Sequence, residues 1–224
     1  MALHQLLQIP FSVLTICSAK VINPEAEALL RRRSTLDAPI SLSSWSLANS
    51  TCSWFGVTCD GGAGHVAELN LHETGLSGKL DAFYSTAFQN LTRLDLSTRQ
   101  QPRCNSLSGA IPYQLSQLPR IARLNLGNNH LTNPESGKFS PMPGLKSLSL
   151  ANNGLNSTFP WFILNFTGRL QKLQILYLYE NNLTGASFVS LGLDSSQDYF
   201  QLSGNNLKGR NYLSLSGNKL TCSI

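Results

Sequence analysis

The chain has 224 residues, of which 42% are apolar and only 13% charged, with a formal net charge of +5. Soluble domains usually carry ~25% charged residues, so uncharged Asn, Ser and Thr must supply most of the polar surface here. The 17 basic residues are scattered, and their one run, Arg31-Arg32-Arg33, has no interleaved aromatics, which argues against a nucleic-acid-binding stripe.

In chain order, Met1 to Ala19 contain no Lys, Arg, Asp or Glu and run through Leu6, Leu7, Ile9, Phe11, Val13, Leu14 and Ile16 to Cys17-Ser18-Ala19. This predicts a signal peptide over residues 1–19, with a short buried helix as the competing reading. No later stretch supplies the ~20 apolar residues of a membrane span, so a secreted chain in the apoplast is expected. Residues 20–64 then read as one unit. It holds a helical stretch around Ala28-Leu-Leu30, then Leu42 and Trp45, then Cys52-Ser-Trp54-Phe-Gly56-Val57-Thr-Cys59. Outside the leader, Cys52, Cys59, Cys104 and Cys222 allow three pairings in an oxidising compartment. Glycosylation sequons stand at Asn49, Asn90, Asn156, Asn165 and Asn182.

From residue 65 to 224 the chain repeats. Val66-Ala-Glu-Leu69-Asn-Leu71, Leu91-Thr-Arg-Leu94-Asp-Leu96, Ile121-Ala-Arg-Leu124-Asn-Leu126, Leu145-Lys-Ser-Leu148-Ser-Leu150 and Leu173-Gln-Ile-Leu176-Tyr-Leu178 share L-x-x-L-x-L, with weaker copies at Phe200 and Leu213. Three continue as x-x-N-x-L, through Asn129/Leu131, Asn153/Leu155 and Asn181/Leu183. The L-x-L pair places two apolar side chains on one face of a short strand, and no coil buries that face without neighbours. The Asn turns the chain, its amide satisfying backbone groups that the bend would orphan. After it comes Leu-Ser-Gly-x-Ile-Pro, complete at Leu107 to Pro112 and partial after Leu76, Leu155 and Leu183.

These motifs resemble the plant-specific leucine-rich repeats of receptor-like kinases, receptor-like proteins and polygalacturonase-inhibiting proteins. The segment from Ala28 to Val66 is similar to that family's N-terminal cap. The resemblance implies a right-handed α/β solenoid arc with a parallel sheet on its concave face, 3-10 or irregular convex segments and a helical cap. It also implies a Cys52–Cys59 bridge, with Trp45 and Trp54 in the cap core. No cofactor or metal is implied.

The spacing of the strand anchors Leu69, Leu94, Leu124, Leu148, Leu176, Phe200 and Leu213 runs 25, 30, 24, 28, 24 and 13. An insertion at Thr98 to Cys104 is expected to interrupt the second coil, and the chain is expected to be an abridged receptor ectodomain with no C-terminal cap. Stacked coils rise ~4.8 Å each, which sets Cys104 and Cys222 roughly 20 Å apart and predicts unpaired or intermolecular thiols. Kinase signatures are absent from the sequence. His72-Glu73 lacks the second His of a zinc-protease motif, and His65 and His130 read as turn residues. A non-enzymatic protein is expected.

Binding is the remaining expectation, by residues between the inward Leu positions. Arg93 and Arg123 should stack in one column beside Asp95 and Asn125, a carboxylate or sulfate contact. Tyr177, Tyr179, Tyr199 and Tyr212 would gather aromatic area toward the C-terminal end, although tyrosine also suits strands for its own sake. The partner implied is a peptide or protein, including a receptor kinase, or a cell-wall glycan. A second expectation is ice: the tail repeats Asn-x-Leu at Asn205, Asn211 and Asn218 and is similar to grass ice-recrystallisation-inhibition repeats. Polygalacturonase inhibition and a degenerate gene product without function complete the alternatives.

Overall fold

The computed structural model describes residues 23–37, 40–80, 83–99, 105–135, 137–158, 173–185 and 199–207. The leader, Cys104, Asn165, Tyr212, Cys222 and the Asn-x-Leu tail beyond Leu207 lie outside them, as do the side chains of Tyr199 and Phe200.

The cap begins with helix α1, Pro24–Ser34. Asn23 starts it by accepting the Glu25 amide at 2.9 Å, and Pro24 suits the first turn, where no amide proton is needed. Glu25 and Glu27 lie in the first turn and Arg31, Arg32 and Arg33 in the last, each sign opposing the helix dipole. The basic run is therefore a helix terminus. Within it Arg31 pairs with Glu27 and Arg33 donates to the Trp45 carbonyl at 2.7 Å.

Behind the helix, Trp45 and Trp54 stack with centroids 5.7 Å apart and each is 2% exposed. Their indole N–H groups donate to the carbonyls of Phe55 and Ser46, which is what lets two polar rings be buried. Cys52 and Cys59 are bridged. Gly56 has φ +77°, and a Cβ there would lie 2.4 Å from the Asn70 carbonyl oxygen; only glycine permits the strand to approach so closely.

Strand β1, Val57–Cys59, pairs antiparallel with β2, Val66–Asn70. The cap thus contributes the first strand of the repeat sheet. Glu25, 2% exposed, fixes α1 to that sheet by accepting the Val66 amide with both carboxylate oxygens, at 3.1 and 3.2 Å.

The further strands are β3 Ser77–Lys79, β4 Arg93–Asp95, β5 Ser106–Ala110, β6 Arg123–Asn125, β7 His130–Thr132, β8 Ser147–Ser149, β9 Ile175–Tyr177 and β10 Tyr199–Gln201. The larger sheet has the order β1-β2-β4-β6-β8-β9-β10 and is parallel from β2 onward. Register aligns Leu69, Leu94, Leu124, Leu148, Leu176 and Phe200. The second leucines, from Leu71 to Leu202, are all buried. The leucine-rich-repeat solenoid expected from the sequence is the fold observed.

Two features differ from the sequence reading. The coil interrupted at Thr98 is not left without its turn residue. Asn105 takes that place after the insertion, donating to the carbonyls of Leu71, Leu96 and Ser97 and accepting the Leu76 amide at 2.9 Å. The connection between strands also contains a second sheet, β3-β5-β7, beside single 3-10 turns, and parallel bridging resumes at Thr158 and Thr184. His130 accordingly lies in a strand, not a turn.

Candidate binding surface on the concave sheet

From β2 onward the residues flanking the central leucine or phenylalanine of each strand of the larger sheet are stacked by the parallel register. One column runs Glu68, Arg93, Arg123, Ser147, Ile175, Tyr199 and the next Asn70, Asp95, Asn125, Ser149, Tyr177, Gln201. Backbone hydrogen bonds continue past the strand ends, such as Thr98 N to Gly127 O and Asn128 N to Ala151 O. They align a third column: His72, Ser97, Gly127, Ala151, Tyr179, Ser203.

The half near the cap is closed on itself. Asp95 is 8% exposed and accepts from the Ser97 amide at 3.1 Å, the Ser97 hydroxyl at 2.6 Å and Asn125 Nδ2 at 3.4 Å. Arg93 bridges this carboxylate at 3.5 Å and Glu68 at 3.7 Å. Asn125 also donates to Ser97 Oγ at 2.9 Å. His72 Nδ1 faces that same oxygen at 3.0 Å and the Ser97 carbonyl at 3.1 Å. Because the single hydroxyl proton of Ser97 points to Asp95, the imidazole must carry its own proton on Nδ1 to bond there. The charges of Arg93 and Asp95, both expected as ligand contacts, already answer each other within the fold.

Beyond β4 the surface changes. Arg123 is exposed, and among the described residues no acid pairs with it. Lys146, at the start of the next coil, is exposed as well. Ser147, Ser149, Ile175, Tyr177 and Tyr179 follow, all half-buried, with the two tyrosine rings 6.2 Å apart. Gly127 and Ala151, buried in the third column, leave a low floor between Ser97 and Tyr179. Tyr199 is placed in β10 by its backbone. This division is not legible in the pattern of residue types, because it lies in which side chains reach one another across coils.

The described sequons, at Asn49, Asn90, Asn156 and Asn182, fall away from these columns. Asn49, Asn156 and Asn182 are exposed and Asn90 half-buried. Asn90 Nδ2 donates to Asp60 at 3.2 Å and Asn49 Nδ2 to the Ser44 carbonyl at 3.1 Å. Asn156 and Asn182 instead accept, from Asn133 and Asn206. Among the described residues no group of His, Cys, Asp and Glu could hold a metal ion, and no helix is long and apolar enough to cross a membrane.

A capped stack of L-x-x-L-x-L coils joined by an asparagine column defines a leucine-rich-repeat protein. The leucine rich repeat N-terminal domain family matches residues 22–60 and the leucine rich repeat family residues 102–156. Among relatives, the receptor-like protein kinase HAIKU2 of Arabidopsis thaliana is 31% identical over 159 residues, covering 67% of this chain and 16% of its own length. The Arabidopsis thaliana BIR2 ectodomain superposes with a TM-score of 0.66 at 28% identity, over 86% of this chain and 97% of that one. The ectodomain of the Arabidopsis receptor kinase HAESA, solved with an IDA peptide hormone ligand, reaches 0.62 at 28% identity over 88% of this chain and 38% of its own. A plant ice-binding protein reaches 0.59 at 25% identity over 89% and 72%. The chain thus carries a leucine rich repeat N-terminal domain followed by leucine-rich repeats and is similar to plant receptor-like proteins and kinases. It spans only a small part of its curated relatives' length.

Proposed function

We propose that this chain is a secreted, non-enzymatic binding protein whose concave sheet engages a peptide or protein partner in the plant apoplast. The observation that carries the reading is the contrast along the sheet. Glu68, Arg93, Asp95, Ser97 and Asn125 satisfy one another, while Arg123 and the Tyr177–Tyr179 pair stand outside that network. Tyrosine and arginine are the residue types that dominate binding energy at interfaces. The peptide-bound HAESA ectodomain shows that this kind of scaffold takes a peptide in a relative. Panning a phage-displayed peptide library against the chain tests the reading. Enriched peptides should be displaced from the wild type and lost with Tyr177→Ala. Failure to enrich any peptide, or enrichment indifferent to Tyr177→Ala, would remove the concave sheet as the site.

A second reading is ice binding, favoured by the likeness to a plant ice-binding protein and by the Asn-x-Leu repeats of the tail. Ice-crystal growth at micromolar protein distinguishes the two, since a peptide receptor has no reason to slow it.

A further inference from the structure

Resting on the reading of the concave sheet as a peptide site, we infer that its ligand is an extended acidic segment. One Asp or Glu of that segment meets Arg123, and an aromatic or proline side chain three or four residues away lies against Tyr177 and Tyr179. The charge follows from what the neighbours have already neutralised. Arg93 is held by Glu68 and Asp95, so the cap-proximal half offers no spare positive charge. Strands β6, β8 and β9 contain no acid, yet Arg123 and Lys146 are exposed there. A guanidinium on a rigid strand, with no acid paired to it among the described residues, is suited to bidentate recognition of a carboxylate.

The spacing follows from the sheet. Arg123 in β6 is two strands from Tyr177 in β9, with only β8 between, and one column aside. At ~4.8 Å between strands and ~3.3 Å rise per residue, their Cα positions lie roughly 12 Å apart. An extended chain advances ~3.3–3.6 Å per residue and so crosses that distance in three to four residues. Between the two anchors it passes over Ser149, whose hydroxyl offers a hydrogen bond, and beside the floor at Gly127. A Cβ at Gly127 would come within 3.1 Å of Ser149 Oγ, so larger residues would crowd that floor.

The test uses the peptides selected on the wild-type chain and fluorescence anisotropy of labelled synthetic copies. Selected sequences should carry Asp or Glu three or four positions from Phe, Tyr, Trp or Pro. Arg123→Ala should weaken binding about tenfold or more, and changing the peptide acid to its amide should weaken it by a similar factor without adding to the Arg123→Ala loss. Arg123→Glu should be rescued by a peptide carrying Lys in place of the acid. Arg93→Ala should change affinity by less than about threefold, because its partners are internal. Selected peptides without an acid, or equal affinity for wild type and Arg123→Ala, would overturn this inference while leaving the concave site in place. A library that yields no peptide overturns both.

Discussion

At the scale of single residues, a buried carboxylate and a glycine join the cap to the first repeat strand. Glu25 caps the Val66 amide, a donor on a residue 0% exposed. Removing the carboxylate orphans that donor, at a cost of about 1–3 kcal/mol. Glu25→Ala should therefore lower stability by that amount in urea titration, and Glu25→Gln by clearly less, since an amide oxygen still accepts. Equal losses would show that packing, not the hydrogen bond, is what the residue supplies. Gly56→Ala should also destabilise the chain, because at φ +77° a Cβ meets the Asn70 carbonyl at 2.4 Å. With both backbone strain and a clash, the loss should be roughly 2 kcal/mol or more by thermal or urea unfolding. An unchanged midpoint would mean that β1 can move away from β2.

At the scale of elements, the cap and the repeat depend on different information, and the sequence carries them unequally. The bridge Cys52–Cys59 closes a short loop between a 3-10 turn and β1. Loop-closure entropy for so short a ring gives about 2–3 kcal/mol. A chain unfolded with and without dithiothreitol should differ by that amount, and the Cys52→Ser, Cys59→Ser double variant should match the reduced protein. The cap was legible because its cysteines and tryptophans are local and chemically distinctive. The L-x-L periodicity was equally plain, since every strand repeats it. Asn105 was missed because the insertion breaks the count from Leu96, and only the neighbouring coil's Leu76 amide and Leu71 carbonyl identify it. The second sheet was missed for a related reason. Ser77-Gly-Lys79 and His130-Leu-Thr132 have no strand pattern of their own and become strands by pairing with Ser106–Ala110. Of the binding surface, the columns could be read from period two. The closure of Arg93 and Asp95 could not, because ion pairs between coils depend on which rotamers meet.

At the scale of the whole molecule, the asparagine column makes the solenoid a chain of nearest-neighbour links. Asn129 donates to the carbonyls of Leu96, Leu126 and Gly127, and Asn153 to those of Leu126, Leu150 and Ala151. The Leu126 carbonyl is thus shared by two coils, as Leu96 is between Asn105 and Asn129, and Leu150 between Asn153 and Asn181. Losing one asparagine leaves the shared oxygen with its other donor, but losing both leaves it buried with none. Asn129→Ala should cost about 1–3 kcal/mol, because it leaves the buried Leu107 amide of the preceding coil without its acceptor. Combined with Asn153→Ala, the loss should exceed the sum of the single losses by about 1 kcal/mol, the range expected for groups sharing a partner. Asn105 and Asn181 share no carbonyl, and two coils stand between them, so Asn105→Ala with Asn181→Ala should be additive within about 0.5 kcal/mol. Urea unfolding of the six proteins these two cycles require beyond the wild type decides the matter. Equal coupling in both pairs would mean that stress spreads along the whole solenoid, whereas coupling confined to Asn129 and Asn153 identifies the stack as a one-dimensional assembly held coil to coil.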